Sequence, residues 1–160
     1  MDLHPDTPLN IEEGRAPRIE FRNVTFSYRP KPGEAPKAPI FQDLSFIVQP
    51  GQKVAFVGVS QAGKTTILNL LYRYYQPTEG SIFINGQDIS QVGLSSLRKN
   101  MSLFGQNANL FNDTVRENIR YGAEHSNEVT DEMIWRLAES ANLTGFLDSL
   151  KDGEKIPNSN

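Results

Sequence analysis

At 160 residues with 38% apolar side chains, the chain is long enough for one domain with its own core, or for a large part of one. A net charge of −3 gives no basic footprint for nucleic acid, and no apolar run approaches the roughly 20 residues that a membrane helix requires. With no cysteine there is neither a disulfide nor a thiolate zinc site, and the two histidines, His4 and His125, stand far apart in polar segments, which argues against a metal centre.

The start MDLHPDTPLNIEEG is acidic and carries no signal-peptide or presequence pattern, so the chain reads as soluble by its own content. Residues 1–17, with three prolines and scattered charge, read as a linker. In RIEFRNVTFSY the apolar alternation runs through Ile19 and Phe21, slips by one residue at Asn23, and resumes at Val24, Phe26 and Tyr28. That slip predicts a strand with a bulge. A proline-rich connection follows, and Leu44, Phe46 and Val48 then alternate in a second strand, closed by Pro50-Gly51, that is expected to pair antiparallel with the first. Val54 to Val57 form a short apolar run of the kind that makes a buried strand.

After residue 63 the periodicity becomes helical. Ile67, Leu70, Leu71 and Tyr74 share one face and Leu68, Tyr72 and Tyr75 another, which predicts a helix buried on two sides that stops at Gln76-Pro77. Gly80 opens a strand over Ser81 to Ile84, and Asn85-Gly86 is a hairpin signal. A short helix is expected over Ser95 to Lys99 and a strand over Met101 to Phe104, ending at Gly105-Gln106. The remainder is helical: Thr114 to Glu117 fits a capping box, and Thr130 caps a helix through about Asn142 with Ile134, Leu137, Ala138 and Ala141 as its apolar stripe. Trp135 lies beside that stripe and reads as packing. A last short helix spans Phe146 to Leu150, and the tail EKIPNSN has no pattern.

Between the short apolar run and the first helix stands Gly58-Val59-Ser60-Gln61-Ala62-Gly63-Lys64-Thr65. It fits G-x-x-x-x-G-K-S/T in the context its mechanism requires. Gly58 and Gly63 let the backbone curl until successive amides face one hollow, and the positive end of the helix adds to it, so an anion belongs there. Lys64 can reach terminal phosphates, the Thr65 hydroxyl can ligate the Mg²⁺ that bridges them, and Thr66 adds a further donor to the inner phosphate.

Four stretches together resemble the nucleotide-binding domain of an ATP-binding cassette (ABC) transporter of the exporter type. They are FSY ending at Tyr28, the phosphate loop, EGSIFINGQDI at 79–89, and SLFGQNANLFNDTVRENIRYG at 102–122. The wording LFNDT…NI.YG is similar to the subgroup of mitochondrial and heavy-metal-tolerance half-transporters. The resemblance implies an α/β fold of the P-loop NTPase (ABC ATPase) type, incomplete: an antiparallel β subdomain with the phosphate-loop strand and helix, followed by the start of a helical subdomain. It places a partial nucleotide-binding domain at 18–153, split into a β and phosphate-loop core at 18–106 and the start of the helical subdomain at 107–153, with an unpatterned tail at 154–160.

The resemblance also assigns roles. Tyr28 matches the aromatic that stacks on adenine, although a strand-end core aromatic explains a tyrosine there equally well. Residues 58–66 become the ATP site. Gln106 matches the glutamine that approaches Mg²⁺ and the attacking water. Residues 107–119 match the surface that receives the membrane domain, and a second nucleotide-binding domain is an implied partner. The parent family works at a membrane, here the mitochondrial inner membrane or the vacuole, on its nucleotide-binding side.

Two departures stand out. Gln61 occupies a position where the family usually has glycine, and Gly105 replaces the proline before the glutamine. The family's signature, the apolar strand ending in Asp, the following Glu and the switch His have no counterpart in these 160 residues. The expectation is therefore MgATP binding as the N-terminal part of an exporter's ATP-binding domain, with marginal stability alone and weak or no hydrolysis. A truncated, non-catalytic nucleotide-binding or partner-modulating protein is the alternative, and an independent phosphate-loop enzyme is a third.

Overall fold

The computed structural model describes residues 7–12, 14–33, 35, 38–105, 110–123 and 126–149, which fall in two compact units, Met1–Leu103 and Phe104–Asn160. The first unit is built on a four-stranded antiparallel sheet. Its strands are β1 (Ile19–Phe26), β2 (Phe41–Val48), β3 (Glu79–Ile84) and β4 (Gln87–Asp88), in the order β2-β1-β3-β4. Helix α1 (Lys64–Leu71) follows the phosphate loop, and α2 (Leu94–Lys99) follows the sheet.

β1 takes the middle because its alternation buries Phe21, Val24 and Phe26, and the expected slip is where the ladder breaks. Its register to β2 shifts between Phe21 and Val24, with Asn23 at φ 49. Asn23 donates from its side-chain amide to Asp43 Oδ1 at 2.5 Å, and its backbone N–H donates to Ser45 Oγ at 2.8 Å, so the bulge is held by polar side chains of β2. On the other side β3 passes so close that a Cβ on Gly80 (φ 79) would lie 2.3 Å from the Asn23 carbonyl oxygen. Only glycine fits there.

β1 and β3 carry Ile82 and Ile84 against Phe21, Val24 and Phe26, while Ile67 and Leu70 of α1 and Leu97 of α2 close the core. Each such side chain stabilises the fold by about 1.5–3 kcal/mol when fully buried. Phe21 stacks on Phe46 of β2 with ring centroids 4.5 Å apart. Residues of the expected linker join this core: Leu9 is buried, its N–H donates to Ser96 Oγ at 2.8 Å, and the Gly93 N–H donates to the Thr7 carbonyl at 2.8 Å.

Three expectations are corrected in this unit. α1 buries Thr66, Ile67 and Leu70 on one side and leaves Leu68 exposed on the other, and it ends at Leu71 rather than running on to Gln76. It stops there because Arg73 turns left-handed (φ 51) and Arg98 of α2 donates to the Tyr72 carbonyl at 3.1 Å, satisfying an end that would otherwise continue. Val54 to Val57 form no strand, and Val57 is 94% exposed. Met101 to Phe104 form none either. A parallel strand needs a neighbour for its N–H and C=O groups, and among the described residues neither segment has one.

The second unit consists of α3 (Val115–Arg120), a 3-10 turn at Ser126–Glu128, α4 (Asp131–Ser140) and α5 (Thr144–Ser149). Thr114 Oγ1 accepts from the Glu117 N–H at 3.1 Å, and Thr130 Oγ1 accepts from the Met133 N–H at 3.3 Å, so both expected caps form. The box at Thr114 is half made: its own N–H donates to Asp113 Oδ1, and Glu117 pairs with Arg120 instead. Ile134, Ala138 and Leu147 form the core, with Val115, Ile119, Val129 and Trp135 packed around it, so Trp135 is packing. Leu137 and Ala141, expected in the stripe, are exposed, because α5 covers only the Ile134 and Ala138 side of α4.

Candidate functional site

The site grows from the turn between residue 58 and α1. The Ala62 N–H donates to the Val59 carbonyl at 3.2 Å, which closes the loop, and a Cβ on Gly58 would press on Ala62 Cβ at 3.2 Å. Gly63 precedes the helix at φ 85, where a Cβ would come within 2.6 Å of Ile40 and 2.7 Å of Phe41. Both the backbone angle and the lack of space require glycine at that position. The Gly63 carbonyl accepts from the amides of Thr66 and Ile67 at 2.9 and 3.2 Å, which starts the helix.

Among the described residues, the amides of Gly63, Lys64 and Thr65 meet no acceptor. Three donors at a helix N-terminus, reinforced by its dipole, make a cradle for an anion. Lys64 Nζ stands over the same loop, donating to the carbonyls of Gly58 and Val59 at 2.7 Å each. A lysine ammonium whose partners are backbone carbonyls keeps its full charge available to a phosphate that enters beside them. The Thr65 side chain is exposed at the head of α1, and among the described residues no group of three or more His, Cys, Asp or Glu could hold a metal by itself. One hydroxyl with no carboxylate cage fits a Mg²⁺ that arrives on phosphate oxygens and keeps several waters.

Gln61 sits in the loop at φ 68. That angle is natural for glycine and costs a side-chain-bearing residue on the order of 1–3 kcal/mol, which is the physical content of the departure noted in the sequence. Ser60 and Gln61 are exposed.

Tyr28 follows β1 and is half-buried, with Phe26 at 4.9 Å and 80° and Tyr75 at 5.0 Å and 88°. These rings line a groove of about 840 Å³ together with Arg29 and Tyr74. The Tyr28 hydroxyl lies 3.0 Å from Thr66 Oγ1 and accepts from Asn69 Nδ2 at 3.5 Å. The fold thus brings Tyr28 to the helix that carries Lys64, Thr65 and Thr66. Thr66 is buried, and its hydroxyl is engaged with Tyr28.

Gln106 and residues 107–109 lie outside the described residues. Of the remaining segment, Leu110 and Phe111 are exposed and line an apolar cavity of about 400 Å³ with α3, α4 and α5. Asn118 holds the approach to α3: its side-chain oxygen accepts from the Phe111 N–H at 2.8 Å, and its amide donates to the carbonyls of Phe111, Asp113 and Thr114.

The sequence reading missed Asn69, and it quoted Asn118 within a motif without a task of its own. Each is an amide side chain inside a helix, where it competes with the backbone unless it has a task, and that is the signal that could have marked both.

Residues 41–156 match the ABC transporter family. The chain is similar to the mitochondrial iron-sulfur clusters transporter ATM1 of Candida albicans, 46% identical over 135 residues that cover 84% of this chain and 17% of that protein. It is similar to ATP-binding cassette sub-family B member 6 of Homo sapiens, 50% identical over 121 residues, covering 76% of this chain and 13% of that one. Among solved structures, that of a bacterial Atm1-family ABC exporter with ATP bound superposes with a TM-score of 0.79 at 37% identity, over 94% of this chain and 25% of the exporter. The chain therefore spans about a quarter or less of the length of each of these relatives.

Proposed function

This chain belongs to the ABC transporter family, and from that premise we propose that it binds MgATP as the N-terminal part of the ATP-binding domain of an exporter. The observation that carries the reading is the head of α1, where the amides of Gly63, Lys64 and Thr65 meet no acceptor among the described residues, beneath a lysine held over the loop. Residues 58–63 wrap the phosphates, Lys64 leaves the Gly58 and Val59 carbonyls for a phosphate oxygen, and Thr65 ligates Mg²⁺. Thr66 contributes a hydroxyl to the inner phosphate. Tyr28, beside the groove it shares with Tyr75, supplies the platform for the base. Thr65 would hold Mg²⁺, with Gln106 beside it by family resemblance, and the ion when bound would offset charge on the phosphates.

The same reading gives the partners. Residues 107–119 receive the membrane domain of the parent exporter, and the exposed loop at Ser60 and Gln61 faces a second nucleotide-binding domain. The parent protein acts at a membrane in ATP-driven transport. Similarity to a transporter whose name places it in mitochondria favours the mitochondrial inner membrane over the vacuole.

MgATP binding by the 160-residue chain and by its Lys64→Ala variant tests the proposal, with phosphate release followed in the same samples. Removing a charge-assisted contact of about 1.5–3 kcal/mol lowers affinity by tenfold or more. Equal binding by both proteins would sink it.

A further inference from the structure

The bond between Tyr28 and Thr66 gives Tyr28 a second task at the same site. We infer that Asn69, Tyr28 and Thr66 form a polarised hydrogen-bond chain whose last hydrogen is presented to the phosphate cradle, so that Tyr28 positions a phosphate-binding hydroxyl. This rests on the ATP-binding reading above and deepens it.

Direction in the chain follows from its far end. Asn69 Nδ2 can only donate, and it donates to the Tyr28 oxygen at 3.5 Å. With that lone pair used, the phenol hydrogen is best spent on Thr66 Oγ1, 3.0 Å away. Thr66 then accepts from Tyr28 and has its own hydrogen left over. Thr66 is 5% exposed and lies in the first turn of α1. Because helical Cα–Cβ bonds tilt toward the N-terminus, its side chain leans to the end where the amides of Gly63, Lys64 and Thr65 meet no acceptor among the described residues.

A buried hydroxyl with an accepted bond on one side and an anion on the other is a stronger donor than an isolated one, since each bond polarises the next. Thr66 and Asn69 are three positions apart and so share a face of α1, and one phenol reaches both. Phe26 and Tyr75, nearly perpendicular to the Tyr28 ring, hold the phenol in that place. Tyr28 and Asn69 are positioning residues here, acting through Thr66.

A ligand without a base separates this role from base stacking. The probe is inorganic tripolyphosphate with Mg²⁺, bound to the full chain and followed by calorimetry beside MgATP. Tyr28→Phe keeps the ring and removes the hydrogen bond. It is expected to weaken tripolyphosphate about fivefold, the worth of one net hydrogen bond, and to weaken ATP by the same factor. Thr66→Val gives a loss at least as large, adding Tyr28→Phe to it costs nothing more, and Thr66→Ser restores binding. Asn69→Leu reproduces part of the loss and serves if Tyr28→Phe does not fold.

If tripolyphosphate binds Tyr28→Phe and wild type alike while Lys64→Ala still abolishes it, the cradle stands and the chain is overturned. If Lys64→Ala also changes nothing, the ATP-binding reading falls, and the inference with it.

Discussion

The two units differ in how far along the chain their supports lie. In the first, β1 is gripped by β2 on one side and by β3, about sixty residues on, on the other, and Leu9 reaches Ser96. In the second, α3 and α4 each begin with a hydroxyl cap from their own flank, and among the described residues only Ile134, Ala138 and Leu147 make a buried cluster, against eleven residues in the first unit. Stability in such a molecule is unevenly distributed: the proposed phosphate cradle sits on the well-supported unit, and the region proposed to meet a membrane domain sits on the thinly supported one.

The most forceful way to break this contrast is Ile134→Ala. Truncating a fully buried isoleucine costs about 2–5 kcal/mol, and here it removes one of three core residues. Amide hydrogen exchange across α3, α4 and α5 should become fast while β1 and β3 keep their protection. Loss of protection in both units together would show one cooperative body and end the comparison.

Gly80→Ala probes the other side. Its Cβ would meet the Asn23 and Arg22 carbonyls at φ 79, and relieving that contact means moving β3 off the bulge. The expected cost is about 2–4 kcal/mol, seen as a lower urea midpoint for the sheet with exchange in α4 unaltered. An unchanged midpoint would mean that the bulge yields freely.

The smallest effect sharpens the contrast through pH. Glu20 of β1 accepts from Arg22 Nε at 2.5 Å and from Arg18, and these partners hold its carboxyl near a pKa of about 2, below the ordinary 4.5. A carboxyl that is more acidic folded than unfolded contributes stability that is complete above about 4.5 and disappears as pH falls toward 2. Urea midpoints of the first unit measured between those values should decline, and Glu20→Gln should flatten the slope. A variant with the same slope as wild type would move the acid sensitivity elsewhere.

Features set by adjacent residues are legible in the amino-acid sequence alone. The slip at Asn23, the Asn85-Gly86 hairpin, the caps at Thr114 and Thr130 and the phosphate loop itself each depend on a few neighbours in the chain, and the fold class came through the family resemblance that four such stretches carry. What failed depends on partners far away. Val54 to Val57 have the composition of a buried strand, but composition supplies no neighbour to pair with, and Val57 lies open. Leu137 has the spacing of a core residue, but α5 packs on the Ile134 and Ala138 side of α4 and leaves it exposed. In the candidate site, the curl at Gly58 and Gly63 was readable from the loop, whereas the bond from Tyr28 to Thr66 joins residues 38 apart and leaves no mark on either local pattern.

The docked segment at residues 7–12 has a mechanical meaning. Gln87 holds it from both ends of its amide, accepting from the Asn10 N–H at 2.7 Å and donating to the Pro8 carbonyl at 3.2 Å, while Thr7 and Leu9 are tied to the turn and helix around Gly93 and Ser96. Tension applied at the front of the chain would therefore be borne by several bonds at once rather than peeled away one by one. It would pass into the β3-β4 hairpin and α2, whose Arg98 grips the far end of the phosphate helix. A pull on the leading segment is thus a pull on the tail of α1, and the same struts carry load in the reverse direction.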